Sequence, residues 1–233
     1  MALLVVADSL AFHGPERGEL ATDPRLFGNV AAAELGTTLD LVARKGWTAR
    51  DAWWALTRDP HVYSVLLAVG GMDYLPAVLP TYLREGIGYL RPPALHRAAR
   101  SAYLAAQPVG ARLLRGRWRT LPQRLTDSYL SRCVGGVRYY HPGVPVFGVL
   151  PPPHAAPLYG RVTAGHAPAV AAARAWGERE GVPMIDLPAL VGPHLGSFNP
   201  DGIHWGWAAH AAVGHAVAEA VRAGSSGGGT LAT

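Results

Sequence analysis

The chain has 233 residues, of which 49% are hydrophobic and 16% are charged. This composition suits one folded domain with a full hydrophobic core and excludes an intrinsically disordered protein. No apolar run approaches the roughly 18 residues that a membrane-spanning helix needs, so we expect no membrane span.

The N-terminus and the cysteine content indicate the compartment. The start of the chain lacks a basic region and contains Asp8, so we expect no signal peptide. Cys133 is the single cysteine, which rules out an intrachain disulfide and fits a reducing compartment. We therefore expect a cytoplasmic protein in which Cys133 is buried and inert.

The net charge is +5, and the positive charge is concentrated in one part of the chain. Ten arginines lie between residues 91 and 138, against the single acid Asp127. Such a surplus of positive charge is typical of proteins that bind acidic partners. Because the chain carries no recognised nucleic-acid motif, we expect no nucleic-acid binding.

Strand and helix patterns alternate along the chain. Residues 3–9 (LLVVADS) are an apolar run that predicts a buried strand entering a polar loop. Asp23 and Pro24 then indicate a helix start, and residues 62–71 (VYSVLLAVGG) predict the clearest strand. The other predictions, in chain order, are a helix at 23–35, a strand at 38–46, helices at 48–59, 76–90 and 126–138, a strand at 144–150, a helix at 167–181, a strand at 183–187, and a helix from Trp205 or Trp207 to about 222.

This alternation predicts a three-layer α/β/α fold with a central parallel sheet of the flavodoxin-like type. Residues 91–125 interrupt it with prolines, arginines and aromatic residues, and predict an Arg-rich helical insertion. Two interpretations explain this insertion about equally well. It is either a lid over the strand ends or an amphipathic hairpin with a solvated basic face. We expect one domain over 1–222 and a flexible tail over 223–233.

The loops that follow the first three predicted strands contain small or reactive residues, namely Ser9, Gly46 and the run 70–73. Because the carboxyl ends of parallel strands meet at one edge of the sheet, we expect these residues to gather there. The segment 199–204 (NPDGIH) can close over them. A serine near a histidine and an aspartate is a candidate nucleophile. Each motif alone is weak, since a serine after a strand is mostly a turn cap and Asp201 can cap the last helix.

Four short blocks together resemble the SGNH, or GDSL-like, hydrolase superfamily. They are ADSL (7–10), KGW (45–47), GGMD (70–73) and DGIH (201–204). The resemblance covers most of the chain in order and spacing, with Ala7 where the superfamily has its first glycine. It implies that Ser9 is the nucleophile, His204 the general base and Asp201 the acid that orients it. It also implies an oxyanion hole made by the Ser9 N–H, the Gly46 N–H and a block-three side chain.

The third block departs from the superfamily pattern. The usual G-x-N-D reads Gly70-Gly71-Met72-Asp73, so Met72 replaces the asparagine unless a shift of one residue brings Asp73 to its place. Losing an oxyanion donor typically costs roughly 10²–10³ in rate. We expect the Gly71 N–H, a protonated Asp73 or Asn199 to compensate, or the enzyme to be slow.

Residues around the blocks are candidates for substrate contacts, and they are Asp8, His13, Trp54, Met72 and Asn199. Structural explanations stand beside them. Asp8 can bond backbone N–H groups of its own loop, His13 can be a solvated loop residue, and Trp54 can simply pack.

Three longer stretches indicate a narrower group. They are GWTARDAWWALTRDP (46–60), GGMDYLPAVLPTYLREGIGYLRPP (70–93) and NPDGIHW (199–205). They resemble SGNH-type octanoyltransferases of methylglucose lipopolysaccharide biosynthesis. The resemblance implies transfer of an octanoyl group from acyl-CoA, as co-substrate, to a sugar hydroxyl of diglucosylglycerate, with no bound cofactor and no metal.

Two other classes of function stay open. A plain esterase or carbohydrate deacetylase would use the same triad with water as the acceptor. A non-catalytic binding module on this fold would explain the missing asparagine. The oligomeric state is left open as well.

Overall fold

The computed structural model describes residues 2–16, 19–56 and 62–226. Its strands are β1 (Ala2–Ala7), β2 (Thr38–Ala43), β3 (Val62–Ala68), β4 (Val146–Val149) and β5 (Met184–Ile185). They form a five-stranded sheet in the order β2-β1-β3-β4-β5, and each pair of neighbours is parallel. The predicted parallel sheet is confirmed.

The described residues also form α-helices between and after these strands. They are α1 (Phe27–Leu35), α2 (Ala49–Ala55), α3 (Thr81–Gly86), α4 (Pro93–Leu113), α5 (Gln123–Tyr140), α6 (His166–Glu180), α7 (Leu187–Val191) and α8 (Trp207–Ser226). None of these helices is both long enough and apolar enough to cross a membrane.

The residues of β1 alternate between two hydrophobic layers. Leu3, Val5 and Ala7 belong to the core cluster that contains residues of α1 and α8. Leu4 and Val6 belong to the cluster formed with α2, α5 and α6. Because both faces of β1 are covered, its sequence is continuously apolar instead of alternating with polar residues. The predicted three-layer α/β/α fold is confirmed.

Two predicted helices start later than expected. The helix predicted at 76–90 begins at Thr81, with Pro80 as its N-cap, and a 3₁₀ turn covers Ile87–Tyr89. Proline lacks an N–H group and favours the helix boundary over the interior. The helix predicted at 23–35 begins at Phe27, because the Asp23 carboxylate accepts the Arg25 N–H and forms a local turn instead.

The end of the last helix also differs from the prediction. α8 starts at Trp207, one of the two predicted starts, and continues to Ser226, so residues 223–226 are helical. Gly224 packs this extension closely on the core, since a Cβ there would lie 2.8 Å from the ring of Phe147. Residues 227–233 of the predicted tail, and 57–59 of the second predicted helix, lie outside the described residues.

The arginine-rich segment contains α4 and the first residues of α5. α4 is attached to the domain through Gln107, which is fully buried. Its amide donates to the carbonyl oxygen of Pro76 at 2.7 Å and accepts the N–H of Val78 at 3.1 Å. Most residues in the first half of α4 are exposed.

Candidate active site

The side chains of Ser9, His204 and Asp201 form one hydrogen-bonded chain. Nε2 of His204 lies 2.9 Å from Oγ of Ser9, and Nδ1 lies 2.7 Å from Oδ2 of Asp201. Because a carboxylate oxygen only accepts hydrogen bonds, Nδ1 carries the proton and Nε2 is free to accept the Ser9 hydroxyl. In this tautomer, His204 can remove the Ser9 proton as a general base.

Ser9 lies just after β1, at the start of a 3₁₀ turn. The neighbouring Asp8 caps this turn, with Oδ1 accepting the Leu10 N–H at 2.9 Å. Asp8 is buried, and its burial raises the pKa of the carboxyl to about 7. The prediction that Asp8 contacts substrate is therefore corrected, because its side chain faces the interior and holds the loop that presents Ser9.

The turn before α8 positions His204. Oδ1 of Asp201 accepts the N–H of Ile203 at 2.9 Å and the N–H of His204 at 3.1 Å. The N–H of Asn199 donates to the carbonyl oxygen of His204 at 2.8 Å. Since α8 begins only at Trp207, Asp201 does not cap that helix. One of its oxygens shapes the turn and the other holds the imidazole.

These contacts also set the charge of Asp201. Partial burial acts to raise its pKa, but the N–H groups of Ile203 and His204 and the imidazole outweigh it. Together they hold the pKa of the carboxyl below its ordinary value. Asp201 is therefore ionised at neutral pH, as is needed to stabilise a positively charged imidazole.

Asn199 holds two loops together. Its Nδ2 donates to the carbonyl oxygen of Pro15 at 2.8 Å, and its Oδ1 accepts the N–H of Asp201 at 3.2 Å. The residue is 3% exposed. The predictions that Asn199 contacts substrate or donates to the oxyanion are corrected, because its amide ties the loop after Ser9 to the turn before His204.

Ser9 and His204 open into a cavity of about 910 Å³. As predicted, the loops after β2 and β3 contribute to its wall, through Gly46 and Met72. Gly46 has a φ of 75°, in the left-handed region that favours glycine. Its role as an oxyanion donor stays a prediction. Beyond the triad, the apolar and aromatic part of the wall includes Met72, Tyr103, Leu158, Tyr159 and Ile203.

The residues of the third block face different surroundings. Met72 lines the cavity, whereas Gly71 lines a small interior space beneath it, and a role for the Gly71 N–H stays a prediction. The Asp73 carboxylate accepts the first N–H of α2 at 3.2 Å and the Thr126 hydroxyl at 2.8 Å. Asp73 thus joins α2 to α5, and its predicted role as an oxyanion donor is corrected. The alignment that places Met72 at the asparagine position fits the structure.

The burial of Asp73 leads to a prediction about pH. Burial raises its pKa from 3.8 to about 7, so the native state keeps a proton that the unfolded state releases between these values. This carboxyl therefore lowers stability as the pH rises through that interval. The unfolding free energy of Asp73→Asn minus that of the wild type should therefore increase between pH 5 and pH 8. The increase should be at most about 1.4 kcal/mol per pH unit. Urea unfolding at both pH values measures the gain, and a difference that does not change with pH contradicts the prediction.

His13 lies beside the triad, and its predicted contact with substrate stays a prediction. Its ring centroid is 4.8 Å from that of His204, and the residue lines the cavity. Partial burial, together with the neighbouring His204 and Lys45, lowers its pKa. His13 is therefore neutral at pH 7 and able to donate or accept a hydrogen bond to a bound hydroxyl.

His210 is a positioning residue that the sequence reasoning missed. It is fully buried in α8, where its Nδ1 accepts the Phe27 N–H at 3.3 Å and its Nε2 donates to the carbonyl oxygen of His13 at 3.2 Å. Burial lowers its pKa to about 4, so it stays neutral. Nothing in the alanine-rich pattern of the last helix distinguishes this histidine from a surface residue.

Trp54 lies outside the cavity that holds Ser9. Its side chain is 73% exposed and lines a neighbouring groove, which shares Trp47 and Arg50 with that cavity. The predicted contact between Trp54 and substrate stays a prediction. Trp47 is the tryptophan on the cavity wall.

The charged residues on the cavity wall were also missed. They are Arg44, Lys45, Arg50, Asp51, Arg84 and Glu85. Arg44 and Lys45 directly precede Gly46. The rule that functional sites lie at the carboxyl ends of parallel strands could therefore have identified them. From the segment 91–125, Tyr103 is the residue found on this wall, and none of its arginines is. Among the described residues, no group of three or more His, Cys, Asp or Glu side chains is placed to hold a metal ion.

Gly202 provides a test of how tightly the turn before His204 is packed. Its φ is 70°, and a Cβ would lie 2.5 Å from the carbonyl carbon of Ala155. Gly202→Ala should therefore destabilise the protein by roughly 3 kcal/mol or more, since it combines backbone strain with a backbone clash. Gly36→Ala is the control, because Gly36 has a φ of 63° and open space around its Cβ. Its cost should be about 1–2 kcal/mol. Thermal unfolding compares the two, and equal costs contradict the close approach at Gly202.

Comparisons with solved structures agree with this fold. The chain is similar to a lipase/acylhydrolase from Enterococcus faecalis, with a TM-score of 0.63 at 14% identity, covering 96% of each chain. It is also similar to a lipolytic protein of the G-D-S-L family from Desulfitobacterium hafniense, with a TM-score of 0.58 at 11% identity, covering 94% of this chain and 98% of the other. At such identities the likeness concerns the fold, and it confirms the predicted GDSL-like fold.

Sequence comparisons are more specific. No family model matches the chain. It is 43% identical over 229 residues to diglucosylglycerate octanoyltransferase of Mycobacterium tuberculosis, covering 94% of this chain and 92% of the relative. It is 42% identical over 228 residues to the protein of the same name from Mycolicibacterium hassiacum, covering 94% of each. The chain therefore belongs to the diglucosylglycerate octanoyltransferase family.

Proposed function

We propose that this protein is a serine-dependent acyltransferase. It transfers an octanoyl group from octanoyl-CoA to a hydroxyl of diglucosylglycerate, in the cytoplasmic part of methylglucose lipopolysaccharide biosynthesis. The observation that supports the proposal most directly is the triad. Ser9, His204 and Asp201 lie within hydrogen-bond distance at an open cavity, in a chain 43% identical to an octanoyltransferase over 229 residues.

In the first half of the reaction, His204 takes the hydroxyl proton of Ser9 on Nε2. Oγ then attacks the thioester carbonyl. The Oγ–C bond forms, the C–S bond breaks, and the proton on His204 passes to the departing sulfur, which leaves as coenzyme A thiol. Asp201 stabilises the imidazolium that exists between these two proton transfers.

In the second half, the sugar hydroxyl takes the place of the thiol. His204 removes its proton, and the sugar oxygen attacks the octanoyl carbonyl. A new ester C–O bond forms, the bond to Oγ breaks, and the proton returns to Ser9. Transfer exceeds hydrolysis when the sugar is well positioned and water is kept from the acyl-enzyme.

During each attack, negative charge develops on the oxygen of the octanoyl carbonyl. Fewer side-chain groups are placed to stabilise this charge than in the superfamily pattern. Met72 offers no donor and faces the cavity, so the Ser9 and Gly46 N–H groups are assigned to the oxyanion. Met72 instead adds apolar surface next to Ser9. Together with Leu158 and Ile203 it forms a wall against which a medium-length acyl chain can lie.

Mass spectrometry of the reaction products tests the proposal. The purified protein is incubated with octanoyl-CoA in the presence and absence of diglucosylglycerate. We expect an octanoylated sugar that appears only with the acceptor, and little free octanoate. Free octanoate formed at the same rate with or without the sugar would identify an esterase with this triad and would overturn the proposed transfer. The absence of both products would favour a non-catalytic binding module.

A further inference from the structure

Positively charged side chains surround the cavity, and they come from outside the arginine-rich segment. Arg44 and Lys45 follow β2, Arg50 lies in α2 and Arg84 lies in α3. Three carboxylates, those of Asp51, Glu85 and Asp201, line the same cavity. Which cations stay available to a ligand depends on how these groups pair.

Arg50 is already neutralised. Its guanidinium donates to the Glu85 carboxylate at 2.6 Å and lies 3.4 Å from the Asp51 carboxylate. Asp201 is used by His204 at 2.7 Å. All three carboxylates of the wall are thus engaged.

The other three cations of the wall are Arg44, Lys45 and Arg84. No ion pair joins any of them to a carboxylate of residues 2–16, 19–56 or 62–226. A concave surface with uncompensated positive charge concentrates anions.

These cations line the same cavity as Ser9 and His204. Lys45 directly precedes Gly46, and its charge acts on His13, whose ring lies 4.8 Å from that of His204. The charge of Arg84 acts on the hydroxyls of Tyr103 and Tyr159, which belong to the cavity wall. An anion bound by these side chains therefore lies in the cavity into which Ser9 opens.

We propose that Arg44, Lys45 and Arg84 form a subsite that binds the anionic group of a substrate, a carboxylate or a phosphate, while the reacting part of that substrate lies at Ser9. The inference deepens the proposed function and rests on it. The carboxylate would come from the glycerate of the acceptor, and the phosphate from the coenzyme A of the donor. Both anions match the donors of arginine and lysine.

The test compares two charge-matched double variants by isothermal titration calorimetry. One is Arg44→Gln with Lys45→Gln on the cavity wall. The control is Arg97→Gln with Arg100→Gln, which removes the same charge from exposed positions of α4. Diglucosylglycerate and its uncharged counterpart diglucosylglycerol probe the carboxylate, and coenzyme A and phosphate-free pantetheine probe the phosphates. Melting temperatures show that each variant folds, and Arg84→Gln is a second, independent variant of the subsite.

For the cavity variants, we expect the affinity for one anionic probe to fall at least about tenfold, with little change for its uncharged counterpart and for the control variant. A loss of affinity for diglucosylglycerate identifies the carboxylate as the bound group. A loss of affinity for coenzyme A identifies the phosphates. Unchanged affinity for both anions, equal loss in the control, or no binding of either anion to the wild type would overturn the subsite. Charge-dependent binding without any transfer product would count against the proposed function and leave the subsite standing.

Discussion

Replacing Ser9 with alanine is expected to lower the rate of octanoyl transfer by about 10⁴-fold or more, because the change removes the atom that forms the acyl-enzyme. Ser9 is 4% exposed, and its hydroxyl lies 2.9 Å from Nε2 of His204. The loss of one small hydroxyl next to the cavity leaves the packing of β1 unchanged. The variant should therefore fold normally and bind both substrates.

Intact-mass measurement gives the sharper readout. With octanoyl-CoA and no acceptor, the wild type should gain the mass of one octanoyl group, and Ser9→Ala should gain none. Ser197→Ala is the matched control, since its hydroxyl donates to the carbonyl oxygen of His194 at 2.8 Å on an exposed turn. An octanoyl adduct on Ser9→Ala, or transfer within tenfold of the wild type, would rule out Ser9 as the nucleophile.

Replacing Asp201 with asparagine is expected to lower kcat by about 10³–10⁴-fold while leaving the fold intact. In the variant, the amide oxygen can keep the Oδ1 position and accept the N–H groups of Ile203 and His204. The amide nitrogen then takes the Oδ2 position and donates to Nδ1. The proton of His204 is forced onto Nε2, where it blocks acceptance of the Ser9 hydroxyl.

The control for this change is Asp186→Asn. Asp186 also accepts a backbone N–H, that of Ala189 at 3.1 Å, but it lies at the start of α7, away from the triad. Its kcat should stay within a few-fold of the wild type. A loss of less than tenfold in Asp201→Asn would show that the carboxylate is not needed to fix the imidazole. Steady-state kinetics with octanoyl-CoA and diglucosylglycerate measure both variants.

The parts of the site that local sequence could predict are those presented directly by strand ends. Ser9 follows β1 without any intervening turn, and Met72 and Gly46 follow β3 and β2 closely. Because parallel strands bring their carboxyl ends together, the order of the four blocks was enough to place these residues and the turn that contains His204.

The rest depended on packing that no local pattern contains. Whether Met72 or Asp73 faces the cavity is decided by the path of the loop, and the carboxyl of Asp73 instead meets Thr126, 53 residues away in sequence. The sequence left open whether the arginine-rich segment is a lid or a solvated hairpin, and the attachment of α4 depends on Gln107, whose partners Pro76 and Val78 lie 31 and 29 residues earlier. His210 could not be recognised either, because its partners Phe27 and His13 belong to the other end of the chain.

The hydrogen bond between Ser9 and His204 joins residues 195 positions apart. Such a contact closes one of the longest possible loops in this chain, and we expect it to form only after the strands between its ends have paired. The reactivity of Ser9 is consequently a reporter of complete folding. During refolding, a fluorescent phosphonate that labels Ser9 should react only in the final kinetic phase, well after helical signals have recovered.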